Sequence, residues 1–261
     1  MILYNDTPVY IGTAGYKFDD WLGTFYPEQF PNEQMLKFYS RDKGIDFLEL
    51  TFTFYNDPTE EITANIAENG SDDLAISVRL GKRFLKETPV KEDADRFKSG
   101  LNPIYNRVKA YFADFYNGFT PSRANFDHIL RLRDTFSDRP FFVELANRGW
   151  ARQKFQEEFK ENGVGVINAE FPPTAGLAPY SVKAYSNMAY FRLYGKSPEW
   201  ETPQKRDLNY RYSLKQLEKL KKDIDVVTSV SSSVFVSFCN SAMGSAAANA
   251  IDLRKMLTEG K

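Results

Sequence analysis

Eight short apolar runs recur along the chain with helix-like stretches between them, and this rhythm constrains the fold more than any other feature. The runs are Val9–Ile11, Phe47–Phe52, Leu74–Leu80, Ala110–Phe115, Phe141–Leu145, Val164–Ala169, Met188–Tyr194 and Val234–Phe238. They are rich in Val, Ile, Phe and Tyr, as strands buried on both faces require. Helical patterns fall between them at Glu33–Arg41, Glu60–Glu68, Lys91–Val108, Arg123–Thr135, Ala151–Glu161, Leu214–Asp223 and Ala246–Leu257. Ser213, with Gln216 three residues on, has the form of a helix cap. Phe171–Tyr185, rich in Pro, Ala and Gly, is the weakest helical stretch. Strictly alternating strands and helices predict a parallel sheet with crossover helices. The expected fold is α/β, a TIM-type (β/α)8 barrel in which the weak stretch leaves room for an irregular ring. A length of 261 residues suits one such barrel, so residues 1–261 are expected to form a single domain.

Composition narrows the function classes. Lys+Arg 34 against Asp+Glu 35 leaves a net charge of −1, which gives no global attraction to nucleic acid or acidic membranes. One cysteine, Cys239, excludes an internal disulfide and a thiolate metal cluster. No basic leader with an apolar stretch opens the chain, and no apolar run reaches membrane-spanning length. A cytoplasmic protein with no membrane partner is expected.

In a barrel of this kind, reactive groups collect where the strands end at their carboxyl termini. Those ends carry Gly12-Thr13-Ala14-Gly15; Glu49, Thr51 and Thr53; Arg79; Asp114; Glu144 and Asn147; Asn168 and Glu170; Arg192 and Tyr194; and Asn240. Side chains two apart share a face, so Glu49, Thr51 and Thr53 are expected together, as are Arg192 and Tyr194. Glu49 and Arg192 each interrupt an apolar run, where an unpaired charge is costly. They must pair, or be completed by a ligand.

The residues also resemble the domain of unknown function 72 (YecE-like) family. The opening block is Gly12-Thr13-Ala14-Gly15-Tyr16, then Trp21, Gly23 and Phe25-Tyr26-Pro27. Later blocks follow in order: Glu49 with Phe54-Tyr55 and Pro58, Phe142-Val143-Glu144 with Trp150, Ala189-Tyr190-Phe191-Arg192 with Gly195, Tyr212, and Phe238, Asn240 and Asn249-Ala250. The resemblance implies a strand–helix barrel and brings no established activity. Its fold has been likened to metal-dependent barrels such as endonuclease IV and xylose isomerase, an analogy that does not transfer chemistry. The chain departs from the family pattern at Tyr194 (usually His), at Thr51 and Phe52 (usually Asn-Ser), at Ala146 (usually Arg), at Cys239 (usually Asn), and near Lys86, where a His is usual.

Several site readings compete. Multi-zinc chemistry needs several imidazoles, and the chain has one, His128, placed mid-helix and read as a surface or packing residue. A Mg²⁺ or Mn²⁺ site built from Glu49, Asp114, Glu144 or Glu170 stays open as an alternative; no metal or cofactor is assigned. Glu49 and Glu144 are the candidate catalytic pair, one protonated and one ionised, for acid–base work on a glycoside or polyol. The competing reading pairs each with Arg79 or Arg192 as barrel packing. Arg79 and Arg192, with Lys196 and the glycine loop, offer an anion site. Asn168, Asn240 and Tyr194 serve as orienting groups. Tyr16, Phe18, Trp21, Phe25 and Tyr26 could stack a ring or plug the barrel mouth; most are expected to plug it, with Tyr16 or Trp21 partly exposed. The expected function is binding of a small polar or anionic, sugar- or phosphate-like ligand at the carboxyl face. A hydrolase or isomerase fits better than an oxidoreductase, since no dinucleotide fingerprint is present. The rivals are a nucleic-acid binder without a zinc site and a noncatalytic scaffold. Oligomeric state is not legible.

Overall fold

The computed structural model describes residues 1–172, 176–185, 187–197, 199 and 207–259. A hairpin opens the chain. β1 (Ile2–Tyr4) pairs antiparallel with β2 (Thr7–Ala14), turning through Asn5 and Asp6, both with positive φ. Asn and Asp accept that backbone more readily than other side chains, which is why the turn is tight. The parallel strands that follow are β3 (Phe47–Leu50), β4 (Ala75–Arg79), β5 (Val108–Phe115), β6 (Phe141–Leu145), β7 (Gly165–Val166), β8 (Asn168–Glu170), β9 (Met188–Leu193) and β10 (Ser233–Phe238). Their order is β7-β6-β5-β4-β3-β2-β10-β9-β8, a nearly closed barrel of the TIM type. The expected sixth strand is split at Ile167. Its first half pairs with β6 and its second with β9, so chain continuity carries the ring across the gap.

Eight helices are described: α1 (Met35–Lys37), α2 (Glu60–Asn69), α3 (Lys82–Lys86), α4 (Lys91–Ser99), α5 (Arg123–Thr135), α6 (Gln153–Glu161), α7 (Leu214–Thr228) and α8 (Ser245–Glu259). Ser213 caps α7 through a capping box with Gln216. Three expectations are corrected. The long helix Lys91–Val108 stops at Ser99, because Pro103 cannot continue it and Gly100 packs its backbone against Pro58; Asn102–Arg107 is a 3-10 segment, and Val108 already belongs to β5. The helix expected at Glu33–Arg41 is a 3-10 turn, the short α1 and a wider π turn over Phe38–Asp42. Phe171–Tyr185 forms no helix among its described residues, and residues 173–175 lie outside them.

Period-two alternation divides each strand between two cores. Ile11, Leu48, Ile76, Val143, Phe191 and Val236 face the helices. Phe47, Ala75, Ala110, Phe112, Phe142, Tyr190 and Phe235 fill the barrel. The Tyr190 ring sits among Phe47, Phe112, Phe142 and Phe235 at centroid distances of 5.3–6.0 Å, forming an aromatic floor. No helix among the described residues is long and apolar enough to cross a membrane.

Candidate functional site

Directly above the aromatic floor, the inward positions turn polar. Glu49 on β3, Glu144 on β6 and Arg192 on β9 converge, as the two-residue alternation requires. Arg192 Nε donates to Glu49 Oε1 at 3.0 Å and Nη2 to Glu49 Oε2 at 3.2 Å. Its Nη1 donates to Glu144 Oε2 and to the Tyr194 hydroxyl, each at 2.7 Å. Tyr194 in turn donates to Glu144 Oε1 at 2.8 Å. Tyr190 donates to Glu49 Oε1 at 2.7 Å, so the 2.6 Å contact with Ser77 Oγ must be a donation from the serine. Relative exposures of 0% for Glu49, 1% for Glu144 and 3% for Arg192 show the cluster buried among the described residues, with Glu49 also among the residues that line a neighbouring cavity.

Burial, the largest influence on Arg192, opposes its charge, but the neighbouring Cys239, Glu144, Glu49 and Tyr194 together more than offset it and hold the guanidinium charged. Burial and the Glu49 charge push the Tyr190 hydroxyl well above the usual tyrosine range, so it stays a donor. Beside them, burial pushes the Cys239 thiol up to about 12, which removes it as a nucleophile.

The open cavity lies to one side of this cluster, over the carboxyl ends of β3, β4 and β5. It has a volume of about 460 Å³ and is lined by Phe54, Tyr55, Arg79, Lys82, Lys86, Asp114, Tyr116 and Phe119 among others. Arg79 grips Asp114 with Nε and Nη2 at 2.7 and 2.6 Å, and its guanidinium lies 3.7 Å from the Phe54 ring centroid. Thr51 and Thr53 do not share a strand face with Glu49, because β3 ends at Leu50. Thr53 instead donates to the Leu50 and Arg79 carbonyls and holds the cavity's inner wall.

The remaining candidates are dispersed. Trp21 is fully buried and donates Nε1–H to the Ser241 carbonyl; it plugs the mouth with Phe18, Phe25 and Tyr26 and cannot stack a ligand. Tyr16 is half-buried and lines a second cavity of about 360 Å³ with Lys17, Phe18, Thr51 and Phe52. Gly15 (φ +88°) uses its amide on the Glu49 carbonyl, so the glycine loop is a turn. Asn168 pins Lys183 and Ser181, and Asn240 donates to the Tyr210 carbonyl and Asn249; neither reaches the central cluster. Glu170 pairs with Lys196 at 3.0 Å and accepts from Tyr212. His128 packs on α5 against Phe115. Among the described residues no group of three or more His, Cys, Asp or Glu side chains is arranged to hold a metal ion. Sequence reasoning gives no site role to Tyr190 and Ser77, which look like core, or to Lys82, which looks like a solvated helix face, and meets Lys86 only near the position of a usual family His.

A nearly closed parallel barrel with a buried Glu–Arg–Glu cluster and a mouth cavity defines the class of protein. Comparison with known proteins narrows it. The family described as "Protein of unknown function DUF72" matches residues 10–261, and the chain belongs to that family. A DUF72 family protein of Thermotoga maritima MSB8 superposes with a TM-score of 0.87 at 30% identity, covering 96% of this chain and 99% of that one. A second, from Enterococcus faecalis V583, gives a TM-score of 0.81 at 19% identity over 95% of each chain and shares the fold. The UPF0759 protein YunF of Bacillus subtilis (strain 168) is 24% identical over 271 residues, covering 95% of this chain and 94% of its own.

Proposed function

We propose that this chain binds a small anionic ligand in the cavity over β3, β4 and β5, and that the Glu49–Arg192–Glu144 cluster beneath is a strut, not the reacting pair. The observation that carries the reading is the cavity's charge balance. Its one acidic lining residue, Asp114, is already spent on Arg79, while Lys82 and Lys86 make no ion pair or hydrogen bond among the described residues. A volume of about 460 Å³ falls in the range of small-molecule sites. The strut assignment is supported by burial: a general acid must reach the proton it transfers, and both carboxylates are closed off by Arg192, Tyr190 and Tyr194.

Thermal-shift titration with inorganic phosphate, inorganic sulfate and citrate tests the reading. Stabilisation is expected from at least one of these anions and is expected to weaken in Tyr116→Ala. No shift with any of them removes the reading. Nucleic acid is the rival, favoured by the exposed rings of Tyr55 and Tyr116 beside the lysines. It predicts affinity for single strands that falls steeply with salt; retardation of that kind, without a response to small anions, would replace our assignment.

A further inference from the structure

We infer that the cavity's ligand is a phosphate monoester of a ring compound, with its dianionic phosphate on Lys82 and Lys86 and its ring between Tyr55 and Tyr116; this rests on the anion-binding reading above. The argument begins with what Arg79 cannot do. A guanidinium fork matches a carboxylate by two parallel hydrogen bonds. That fork is occupied by Asp114, and one face of the group lies on Phe54. Arg79 is therefore a positioning residue, holding the β4 and β5 ends together and presenting at most its Nη1 side to a ligand.

Among the described residues, the cations this cavity leaves for a ligand are two lysines one helical turn apart. Lys82 and Lys86 stand at i and i+4 on α3, both exposed and both lining the cavity. Residues at this spacing have Cβ atoms about 5–6 Å apart, and like charges there destabilise a helix slightly. A single doubly charged group placed between them relieves the repulsion. Ammonium groups act as rotating point charges, which suits the three terminal oxygens of a phosphate better than the planar edge of a carboxylate.

The second half of the argument is the rim. Tyr55 and Tyr116 follow β3 and β5, line the same cavity, and are 70% and 59% exposed. Neighbouring rings in these loops are packed: Phe54 beneath Arg79, and Phe119 stacked on Phe115 at 4.0 Å. Tyr55 meets Phe54 edge-on at 5.0 Å and is otherwise open, as Tyr116 is; two exposed rings at one cavity, next to lysines without a charged partner among the described residues, form a surface for the apolar face of a sugar or other ring.

The test compares glucose 6-phosphate, glucose 6-sulfate, inorganic phosphate and glucose by calorimetry on the full chain. Glucose 6-phosphate is expected to bind best, inorganic phosphate more weakly, and glucose not detectably. A phosphate monoester takes up a proton near pH 6 and a sulfate ester does not. Affinity for glucose 6-phosphate should therefore drop on going from about pH 7.5 to about pH 5.5 relative to glucose 6-sulfate. Lys82→Gln and Lys86→Gln should each weaken it roughly tenfold or more. Tyr55→Ala should weaken glucose 6-phosphate and leave inorganic phosphate unchanged, whereas Tyr116→Ala should weaken both, glucose 6-phosphate by the larger factor. All four positions are exposed, and circular dichroism checks that each variant folds. Equal affinity for the two esters at the higher pH, or no effect of either lysine substitution, overturns this inference; the broader reading then survives only if Tyr116→Ala still weakens anion binding. Silence from every probe overturns both.

Discussion

Replacing Arg192 by methionine would leave Glu49 and Glu144 side by side in a space closed to water. Removing one partner of a buried ionic group costs about 3–5 kcal/mol, because the remaining charges lose their compensation. Urea unfolding of Arg192→Met is expected to report a loss of that size. Glu144→Gln keeps the volume and one acceptor, so its loss should be smaller, about 1–3 kcal/mol. Ligand affinity at the Arg79 cavity should be unchanged in Glu144→Gln; a variant of full stability that had lost a ligand-dependent activity would mean that the carboxylate reacts after all. His128 gives a second prediction at this scale. Burial holds it below its usual 6.5, and the charge of Arg131 adds to the effect. Its folded-state pKa is depressed, so the unfolded chain binds the proton first. The stability it contributes is present above about pH 6.5 and is lost as the pH falls below that value toward the folded pKa. Between about pH 7.5 and 5.5, His128→Gln should therefore show a flatter stability profile in urea than the parent chain. The buried charges were legible from sequence because a Glu or Arg inside an apolar run has to be explained. Lys82 and Lys86 were not, since an unpaired lysine on a short helix reads as ordinary surface until a cavity is seen beside it.

Among the elements, the junction of β2 and β3 has the narrowest tolerance. Gly12 faces Phe47 across the ladder, and a Cβ there would stand 1.7 Å from the Phe47 carbonyl oxygen and 2.9 Å from the Tyr39 hydroxyl. Tyr39 comes from the π turn at Phe38–Asp42; it donates to Phe47 O at 2.7 Å and accepts from Thr13 N at 3.0 Å. The side chain thus replaces ladder hydrogen bonds that the strands cannot make with each other. Gly12→Ala must push the strands apart or expel Tyr39. Overpacking of this kind costs about 1–3 kcal/mol, and a backbone atom in the way places the expected loss at the upper end or beyond. A Gly12→Ala variant with parental stability in urea would show that the junction relaxes freely. Such features explain what the chain conceals at this scale. Apolar runs revealed the strands and their order because burial on both faces leaves a continuous signal. The π turn, the split at Ile167 and the end of α4 at Ser99 depend on which backbone packs against which, and periodicity carries no record of that. The hairpin strand β1 was passed over because its turn uses Asn5-Asp6 and not an Asn-Gly pair.

Across the whole barrel, stability is distributed unevenly around the ring, and this bears on where a ligand can sit. β10 is registered with β9 over six residue pairs and with β2 over five. At the seam, β7 holds β6 by two pairs and β8 holds β9 by three. The interruption at Ile167 is bridged by its amide, which donates to the Val143 carbonyl at 2.8 Å. A seam with so few ladder bonds opens at a lower free energy than the strands flanking β10. In the ring order, the Arg79 cavity over β3, β4 and β5 lies well away from that seam. The weak side of the barrel and the proposed binding side are thus separate, as a site that must hold its geometry requires. Native-state hydrogen exchange is expected to show the Gly165–Glu170 amides exchanging through sub-global openings, while those of Phe235–Phe238 exchange only with global unfolding. An anion that binds the cavity should slow exchange at Val78–Arg79 and Ala113–Phe115 and leave the seam largely unaffected. Uniform protection around the ring would mean that the split strand is as firmly held as the rest. Ligand protection centred on residues 165–170 would move the site to the cavity beside the seam, lined by Trp150, Gln156, Ile167 and Lys183, where the lysines of α3 have no part.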